Sequence, residues 1–188
     1  LNLSLNDIAS YGITMQLIAI IGTLGGIYTA TYQPKIAQLR IANNKQAIKM
    51  LYLKGQLILI LTYVAGSIVL LMLGNWGMNL IDSKTQLIPN TMISIIMIIS
   101  FLESNHGIAG GILLTKNEVP FFKASIFSGL ATVLLLFLLF EFADSSIWVM
   151  ILAPGIAQAT YQNWKWPLVV YYDLEINTKD ILKSIKIK

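Results

Sequence analysis

Five long, mostly apolar stretches separate the polar segments of this chain and constrain its fold more than any other feature. A helix that crosses the hydrocarbon core of a bilayer needs about 20 such residues, because its backbone polar groups must be satisfied within the helix. The pattern predicts an all-α integral membrane protein whose five transmembrane helices form one bundle over residues 1–188. The stretches cover residues 8–32, 55–73, 87–114, 121–140 and 147–172.

The composition indicates that lipid, rather than water, surrounds much of the protein. Hydrophobic residues make up 56% of the chain and charged residues only 12%, whereas soluble domains average about 45–50% and about 25%. The net charge of +4 does not indicate nucleic-acid binding, since the basic residues are distributed between apolar stretches instead of forming one patch. The lipid bilayer is therefore the first expected partner, and nucleic acid is not expected.

The basic residues mark alternate connections between the apolar stretches. Every Lys and Arg except Lys84 falls in or beside the first connection, the third connection, or the end of the fifth stretch with the tail 173–188. The fourth connection carries only Glu141 and Asp144. Because cytoplasmic loops carry the excess of Lys and Arg, the sequence predicts an external N-terminus and a cytoplasmic C-terminus.

The first connection, residues 34–54, is predicted to form a basic amphipathic helix that begins at Pro34. Proline fits the first turn of a helix, where its missing N–H costs nothing, and such a helix would lie on an anionic leaflet. Its cations would contact a phosphate-bearing lipid headgroup; the alternative is a loop that only fixes the topology. The candidate contacts are Arg40, Lys45, Lys49 and Lys54.

Two ionisable residues, Glu103 and His106, lie inside the third stretch. Ionisable groups at membrane depth are costly and call for a reason. The two residues are three apart and so share a helix face, and Glu103 lies roughly 21 Å along the helix from Pro89. We predict that both bind substrate in a lumen, where a carboxylate could also carry protons; the alternative is a structural hydrogen-bonded pair.

Small residues and prolines within the stretches are candidate hinges. Gly110 and Gly111 follow His106, and Pro154 lies in the fifth stretch. Glycine lets helices approach closely or bend, and broken helices line the path of many transporters. Conformational hinges are one interpretation, and close helix packing with a proline kink is the other.

No pattern of catalytic residues is present, so we do not expect an enzyme. The chain has no cysteine and a single histidine, which excludes thiolate and multi-histidine metal sites within it. It also has no Walker motif and no paired aspartates for a metal-bound diphosphate. No cofactor is expected, apart from a coupling ion, H⁺ or Na⁺, that the sequence does not identify.

Three segments resemble motifs of polysaccharide and O-unit flippases. The first resembles the proline-led connection after the second helix of each half of these proteins, and the second resembles their short cytoplasmic Asn-x-x-Pro-Phe turn. The third resembles a motif near the end of the last helix in some of them. The segments are Tyr28–Ala37, Gly111–Phe121 and Tyr161–Pro167.

The resemblance implies membership of the multidrug/oligosaccharidyl-lipid/polysaccharide (MATE-like) superfamily, whose members usually have 12 or 14 helices in two bundles. The chain would then be a C-terminal fragment with the last five helices of a 12-helix transporter, and an N-terminal half would be its partner. The implied function is translocation of an undecaprenyl-diphosphate-linked oligosaccharide across the bacterial inner membrane by alternating access, for O-antigen-type polysaccharide. The chain departs from the family pattern because it has no Arg or Lys at mid-membrane depth.

Two other functions remain open. A cation-coupled multidrug exporter of the same superfamily would have a more acidic lumen. A membrane glycan polymerase or ligase would need a large external loop with catalytic residues, and the external connections of this chain are short.

Overall fold

A computed structural model of the protein describes residues 3–142 and 146–185. The regular structure in these ranges is entirely helical, which confirms the predicted all-α class. Asp144 of the predicted fourth connection and the last three residues of the predicted tail lie outside the described ranges. The helices are α1 (Leu5–Ile41), α2 (Lys45–Leu80), α3 (Asn90–Leu114), α4 (Phe122–Phe142), α5 (Ile147–Ala159), α6 (Gln162–Asp173) and α7 (Thr178–Ile185).

Four of these helices, α1 to α4, are long and apolar enough to cross a membrane. The prediction of a fifth single helix over 147–172 is wrong, because α5 and α6 divide that stretch into helices of 13 and 12 residues. Tyr161 has φ −148° and ψ −53°, outside the helical region, and interrupts the chain between them. Neither helix alone reaches the roughly 20 residues that a crossing needs.

Helices α1 and α2 form a long antiparallel hairpin with a turn of only three residues, 42–44. Asn43 adopts a φ of 53°, a conformation that asparagine tolerates better than most residues. The Asn44 side chain accepts a hydrogen bond from the Ala47 N–H at 3.0 Å and so caps α2. With 37 and 36 residues, each helix is about 55 Å long and extends well beyond a hydrocarbon core of about 30 Å.

The predicted amphipathic segment 34–54 is therefore not a separate helix. Pro34 lies inside α1, and the segment consists of the end of α1, the turn and the start of α2. A proline inside a helix removes one backbone hydrogen bond and crowds an earlier carbonyl. Ile36 and Ile48, one on each arm, are fully buried in the same hydrophobic core, and this packing stabilises the continuous hairpin against the local cost of the proline.

Glycines allow α1 and α2 to approach each other closely. A Cβ added to Gly66 would lie 2.8–3.0 Å from three side-chain carbons of Ile21, and one added to Gly25 would lie 2.8 Å from Leu59 Cδ1. Small residues at helix contacts permit this kind of approach. The same argument does not apply to Gly26 and Gly77, where an added Cβ would meet no atom within 4 Å.

Side-chain bonds show which connections lie at the same end of the bundle. Arg40 near the end of α1 and Lys116 after α3 both pair with Asp173 at the end of α6; we call this the basic end. At the opposite end, the Ile88 N–H before α3 donates to Thr14 Oγ1 in the first half of α1. The connections that carry most of the basic residues therefore share one end, as alternating crossings require.

Helix α4 exposes an apolar surface along most of its length. Ser128 is its one buried residue, whereas Phe127, Val133 and Phe137 are each more than 60% exposed. A contiguous apolar surface of this kind is unfavourable in water and marks contact with another apolar phase. The exposed face of α4 is therefore suited to lipid.

Candidate functional site

A polar cluster joins α2 to the middle of α3 inside the apolar bundle. Tyr63 Oη lies 2.8 Å from Oγ of both Ser100 and Ser104, and 3.0 Å from the Ser100 carbonyl oxygen. Polar groups at membrane depth must find their partners within the protein, and here they do so between the two helices. The cluster fixes which face of α3 contacts α2 and leaves the other faces to α1, α5 and α6.

Glu103 lines a cavity of about 70 Å³ between α1, α3 and α5. Tyr11 contributes from α1, Met150 and Pro154 contribute from α5, and Ser100 lies one turn earlier on α3. In the described part of the chain, no hydrogen bond or ion pair joins the Glu103 carboxylate to another side chain. A water needs about 10–15 Å³ of such space and an organic ligand about 300–1,000 Å³, so only an ion or a few waters fit.

His106 lines a larger cavity, of about 290 Å³, between α3, α6 and the start of α4. Its Nδ1 lies 2.8 Å from Oδ1 of Asn163. Because an amide oxygen only accepts hydrogen bonds, Nδ1 is the donor of this pair. The buried Nδ2 of Asn163 has no hydrogen-bond partner among the described residues.

The walls of the His106 cavity combine aromatic rings with amide and hydroxyl groups. The rings of Phe121 and Trp166 meet edge to face with centroids 5.8 Å apart. Gln162 Oε1 accepts a hydrogen bond from Trp166 Nε1, and Gln162 Nε2 donates to Ser125 Oγ at 3.2 Å. The bond to Ser125 joins α6 to α4, whereas the bond between Trp166 and Gln162 lies within α6. The cavity therefore has both apolar and polar lining groups.

Glu103 and His106 do not line a common cavity, although the sequence predicts that they share a helix face. Three residues advance an α-helix by about 300°, so the two side chains differ in direction by about 60°. This difference is enough to turn Glu103 toward α1 and α5, and His106 toward α4 and α6. Their role in substrate binding stays a prediction. Glu103 would act in the smaller cavity and His106 in the larger one.

The predicted hinge residues lie beside the same two cavities. Gly110 and Gly111 line the His106 cavity, and Pro154 lines the Glu103 cavity. All three lie inside helices, and the Gly111 carbonyl accepts a hydrogen bond from Gln33 Nε2 at 2.7 Å. The interruption occurs instead at Tyr161, so hinge motion at these residues stays a prediction.

Three of the four predicted headgroup contacts form ion pairs with the C-terminal segment. Each of these three cations reaches an acidic residue that lies more than 125 positions away in the sequence. The pairs are Arg40–Asp173, Lys45–Glu175 and Lys49–Asp180, all with N–O distances of 2.9 Å.

These ion pairs differ in their exposure to water. The side chains of Lys49 and Asp180 are 9% and 8% exposed, and Lys49 also donates to the Glu175 carbonyl at 2.9 Å. Lys45 and Glu175 are more than half exposed, so water screens their attraction. Lys54 is exposed and forms no ion pair with any other residue in the ranges 3–142 and 146–185.

The cations lower the pKa values of the acidic groups that they contact. Burial by itself raises the pKa of Asp173, but the hydrogen bonds and charges of Lys116 and Arg40 outweigh burial and lower this pKa overall. The hydrogen bond from Lys49, followed by one from the Asn177 backbone, lowers the pKa of Asp180. Both carboxylates are therefore ionised at neutral pH, and charge attraction holds the C-terminal segment on the hairpin.

Several residues that the structure brings into these sites were not predicted from the sequence. Gln162 and Asn163 had a recognisable signal, because two adjacent amides inside an apolar stretch are costly unless they are satisfied. Tyr11 had none, since a tyrosine near a helix end also fits membrane anchoring. Asp180 had none either, because its partner Lys49 lies 131 positions away in the sequence.

Comparison of the chain with known protein families, with characterised proteins and with solved structures finds no match in any of the three. In the described ranges, no three His, Asp or Glu side chains lie close enough together to hold a metal ion. The two cavities and the ion pairs at the basic end are therefore the features of the described residues that bear on function.

Proposed function

We propose that this protein is a multi-pass membrane transporter that moves an undecaprenyl-diphosphate-linked oligosaccharide across the bacterial inner membrane for surface polysaccharide assembly. In the proposed topology, α5 and α6 together form a fifth crossing and the basic end lies in the cytoplasm, as part of a MATE-like two-bundle transporter. The observation that carries the proposal is the His106 cavity, with its aromatic and amide walls.

The lining of this cavity fits the chemistry of a sugar. A pyranose ring presents C–H groups on its faces and hydroxyl groups on its rim, so it binds where aromatic surface lies beside hydrogen-bonding groups. Phe121 and Trp166 offer the aromatic surface, and Gln162 and Ser125 offer amide and hydroxyl groups. Ligand sites combine predominantly apolar walls with a few placed polar groups in this way.

The position of the cavity also supports this substrate. His106 lies eight residues before Leu114, the last residue of α3, which corresponds to about 12 Å from the basic end. Lipid-linked sugars are assembled at the cytoplasmic face, so a site near a cytoplasmic basic end is where such a substrate would enter. The adjoining interruption between α5 and α6 resembles the broken helices that line binding sites in other transporters.

Two tryptophans on α6 provide a matched test. In cells that lack the protein, we expect lipid-linked glycan to accumulate on the cytoplasmic face, and the complete protein to restore its export. Trp166→Phe removes the indole N–H that bonds Gln162 in the cavity wall and should reduce rescue. Trp164→Phe changes a ring that is 48% exposed and should rescue fully at equal protein levels in the membrane.

Two outcomes would contradict the proposal. One is equal and complete rescue by Trp166→Phe and His106→Ala, which would remove the cavity from the transport path. The other is loss of small-cation efflux with normal glycan export in the deleted strain, which would favour the cation-coupled exporter instead.

A further inference from the structure

Residues 175–185, which we call the strap, follow α6 and include α7, which packs against α2. The face of α7 that is turned to the protein is polar, since Asp180 and Ser184 are buried, whereas the apolar Leu182 is 59% exposed. Within 178–184, no side chain belongs to the hydrophobic core. A segment with few buried apolar contacts opens at a low cost in free energy, so charge attraction and hydrogen bonds decide whether the strap stays in place.

Two lysines at the start of α2 hold the strap. Lys49 Nζ lies 2.9 Å from both Asp180 Oδ2 and the Glu175 carbonyl oxygen, and Lys45 Nζ lies 2.9 Å from Glu175 Oε1. The attraction in the buried Lys49–Asp180 pair is largely offset by the cost of removing both charges from water, and water screens the exposed Lys45–Glu175 pair. Another anion can therefore compete with the strap for both ammonium groups.

The two lysines lie at the level of the lipid headgroups. Lys54 immediately precedes the apolar stretch 55–73, and Lys49 is five residues, or about 8 Å along the helix, further from that stretch. The headgroup layer of one leaflet is about 5–8 Å thick, so Lys49 lies in this layer. Lys45 lies one turn beyond on the same face of α2, and its long side chain can reach back toward the headgroups.

We propose that the strap and the anionic phospholipids of the bilayer compete for Lys45 and Lys49, so that a lipid phosphate takes the place of each strap carboxylate when the strap opens. Carboxylate and phosphate oxygens bind an ammonium group in the same way. Arg40 does not take part, because its partner Asp173 belongs to α6 and not to the strap. The inference rests on the proposed topology, which places the basic end at the anionic cytoplasmic leaflet, and it adds a lipid partner that the transport function does not name.

Opening of the strap can be followed with one engineered cysteine, because the chain has none of its own. Ser184→Cys places a thiol on the buried face of α7, where Ser184 is 4% exposed, so a maleimide reacts with it at a rate that follows the open population. Each lysine near an anionic surface favours it by about fivefold. The rate should therefore be up to about 25-fold higher in nanodiscs that contain phosphatidylglycerol than in nanodiscs of phosphatidylcholine. Inorganic phosphate, added to the phosphatidylcholine nanodiscs at the same ionic strength, should not reproduce this increase.

Two single-lysine variants in the Ser184→Cys background show which cations carry the response. Lys45→Gln keeps the Lys49–Asp180 pair and should reduce the lipid-dependent increase to about fivefold. The matched control is Lys183→Gln, which removes an exposed cation of α7 itself and should leave the increase unchanged. Leu182→Cys, at a position that is already exposed, should react at the same rate in both lipids.

Three results would overturn the proposal. The first is an equal rate for Ser184→Cys in both lipids, and the second is an equal increase with inorganic phosphate. The third is loss of the increase in Lys183→Gln but not in Lys45→Gln, which would show that α7 itself binds the lipid. Both faces of a nanodisc are accessible and no transport is measured, so a failure here is distinct from a failure of the glycan-export test.

Discussion

Replacing Gly66 by alanine tests how closely α1 and α2 pack. The new Cβ would lie 2.8–3.0 Å from three side-chain carbons of Ile21, whereas carbon atoms in favourable contact are about 3.5–4.0 Å apart. Isoleucine is β-branched and strongly prefers one χ1 rotamer in a helix, so Ile21 has little freedom to turn away. Either the two helices separate or the side chain leaves its preferred rotamer.

The expected change in the free energy of unfolding of Gly66→Ala is the sum of two opposing effects. Overpacking of this kind costs about 1–3 kcal/mol, whereas alanine in place of glycine inside a helix gains about 1 kcal/mol. The matched control is Gly77→Ala in the same helix, where the added Cβ meets no atom within 4 Å. Gly77→Ala has the favourable effect of alanine in a helix but no steric clash. The two variants should therefore differ in their free energy of unfolding by about 1–3 kcal/mol, or about 2–12 °C in Tm.

The assay is thermal unfolding in one detergent, followed by the fluorescence of the four tryptophans. Ile21→Ala, introduced into the Gly66→Ala variant, should recover part of the lost Tm because it removes the atoms that clash. If Gly66→Ala and Gly77→Ala have the same Tm, or if Ile21→Ala does not raise the Tm of the Gly66→Ala variant, the close approach of α1 and α2 at Gly66 is refuted.

Three further predictions concern the basic end and the topology. Lys49→Met should leave the buried Asp180 carboxylate without its ion pair and speed the proteolytic removal of α7 severalfold. Lys54→Met, at an exposed position, should not change the rate of removal. Equal rates for the two variants would contradict the role of the ion pair. Because the pKa of Asp180 is lowered in the folded protein, its contribution to stability is fully present above the usual aspartate pKa of 3.8 and is lost as the pH falls through the lower folded value. Release of α7 should therefore be unchanged from pH 8 to about pH 5 and increase below about pH 4; release that begins near pH 6 would implicate another group. Since the chain has no cysteine, single cysteines can report its orientation: in intact cells an impermeant thiol reagent should label one at Ser83 but not one at Asn43, and the reverse result would invert the proposed topology.

The existence of helices long and apolar enough to cross a membrane could be predicted from the sequence because it depends on local composition. A run of about 20 apolar residues in lipid has no stable alternative to a helix, and α1 to α4 each contain such a run. The helix ends could not be predicted in the same way. Proline usually marks a helix boundary, but at Pro34 the burial of Ile36 and Ile48 outweighs the local preference.

The arrangement of the candidate sites was only partly predictable. Glu103 and His106 were identifiable as costly polar groups at membrane depth, but their separation into two cavities depends on which helices surround α3. The ion pairs at the basic end depend on the return of the C-terminal segment to the hairpin, as in Lys49–Asp180. No local pattern in either segment encodes that return.

Helix α2 continues without interruption from Lys45 to Leu80. It therefore connects the basic end to the middle of the bundle as one rigid helix. Its first turns hold α7 through Lys49, and its middle contacts α3 through Tyr63. Each residue of an α-helix turns the following part by about 100°, so one residue inserted between these two positions would force the protein to give up one set of contacts. The spacing of Lys49 and Tyr63 along α2 therefore fixes the length of the helix between them, because both sets of contacts can form together only at that spacing.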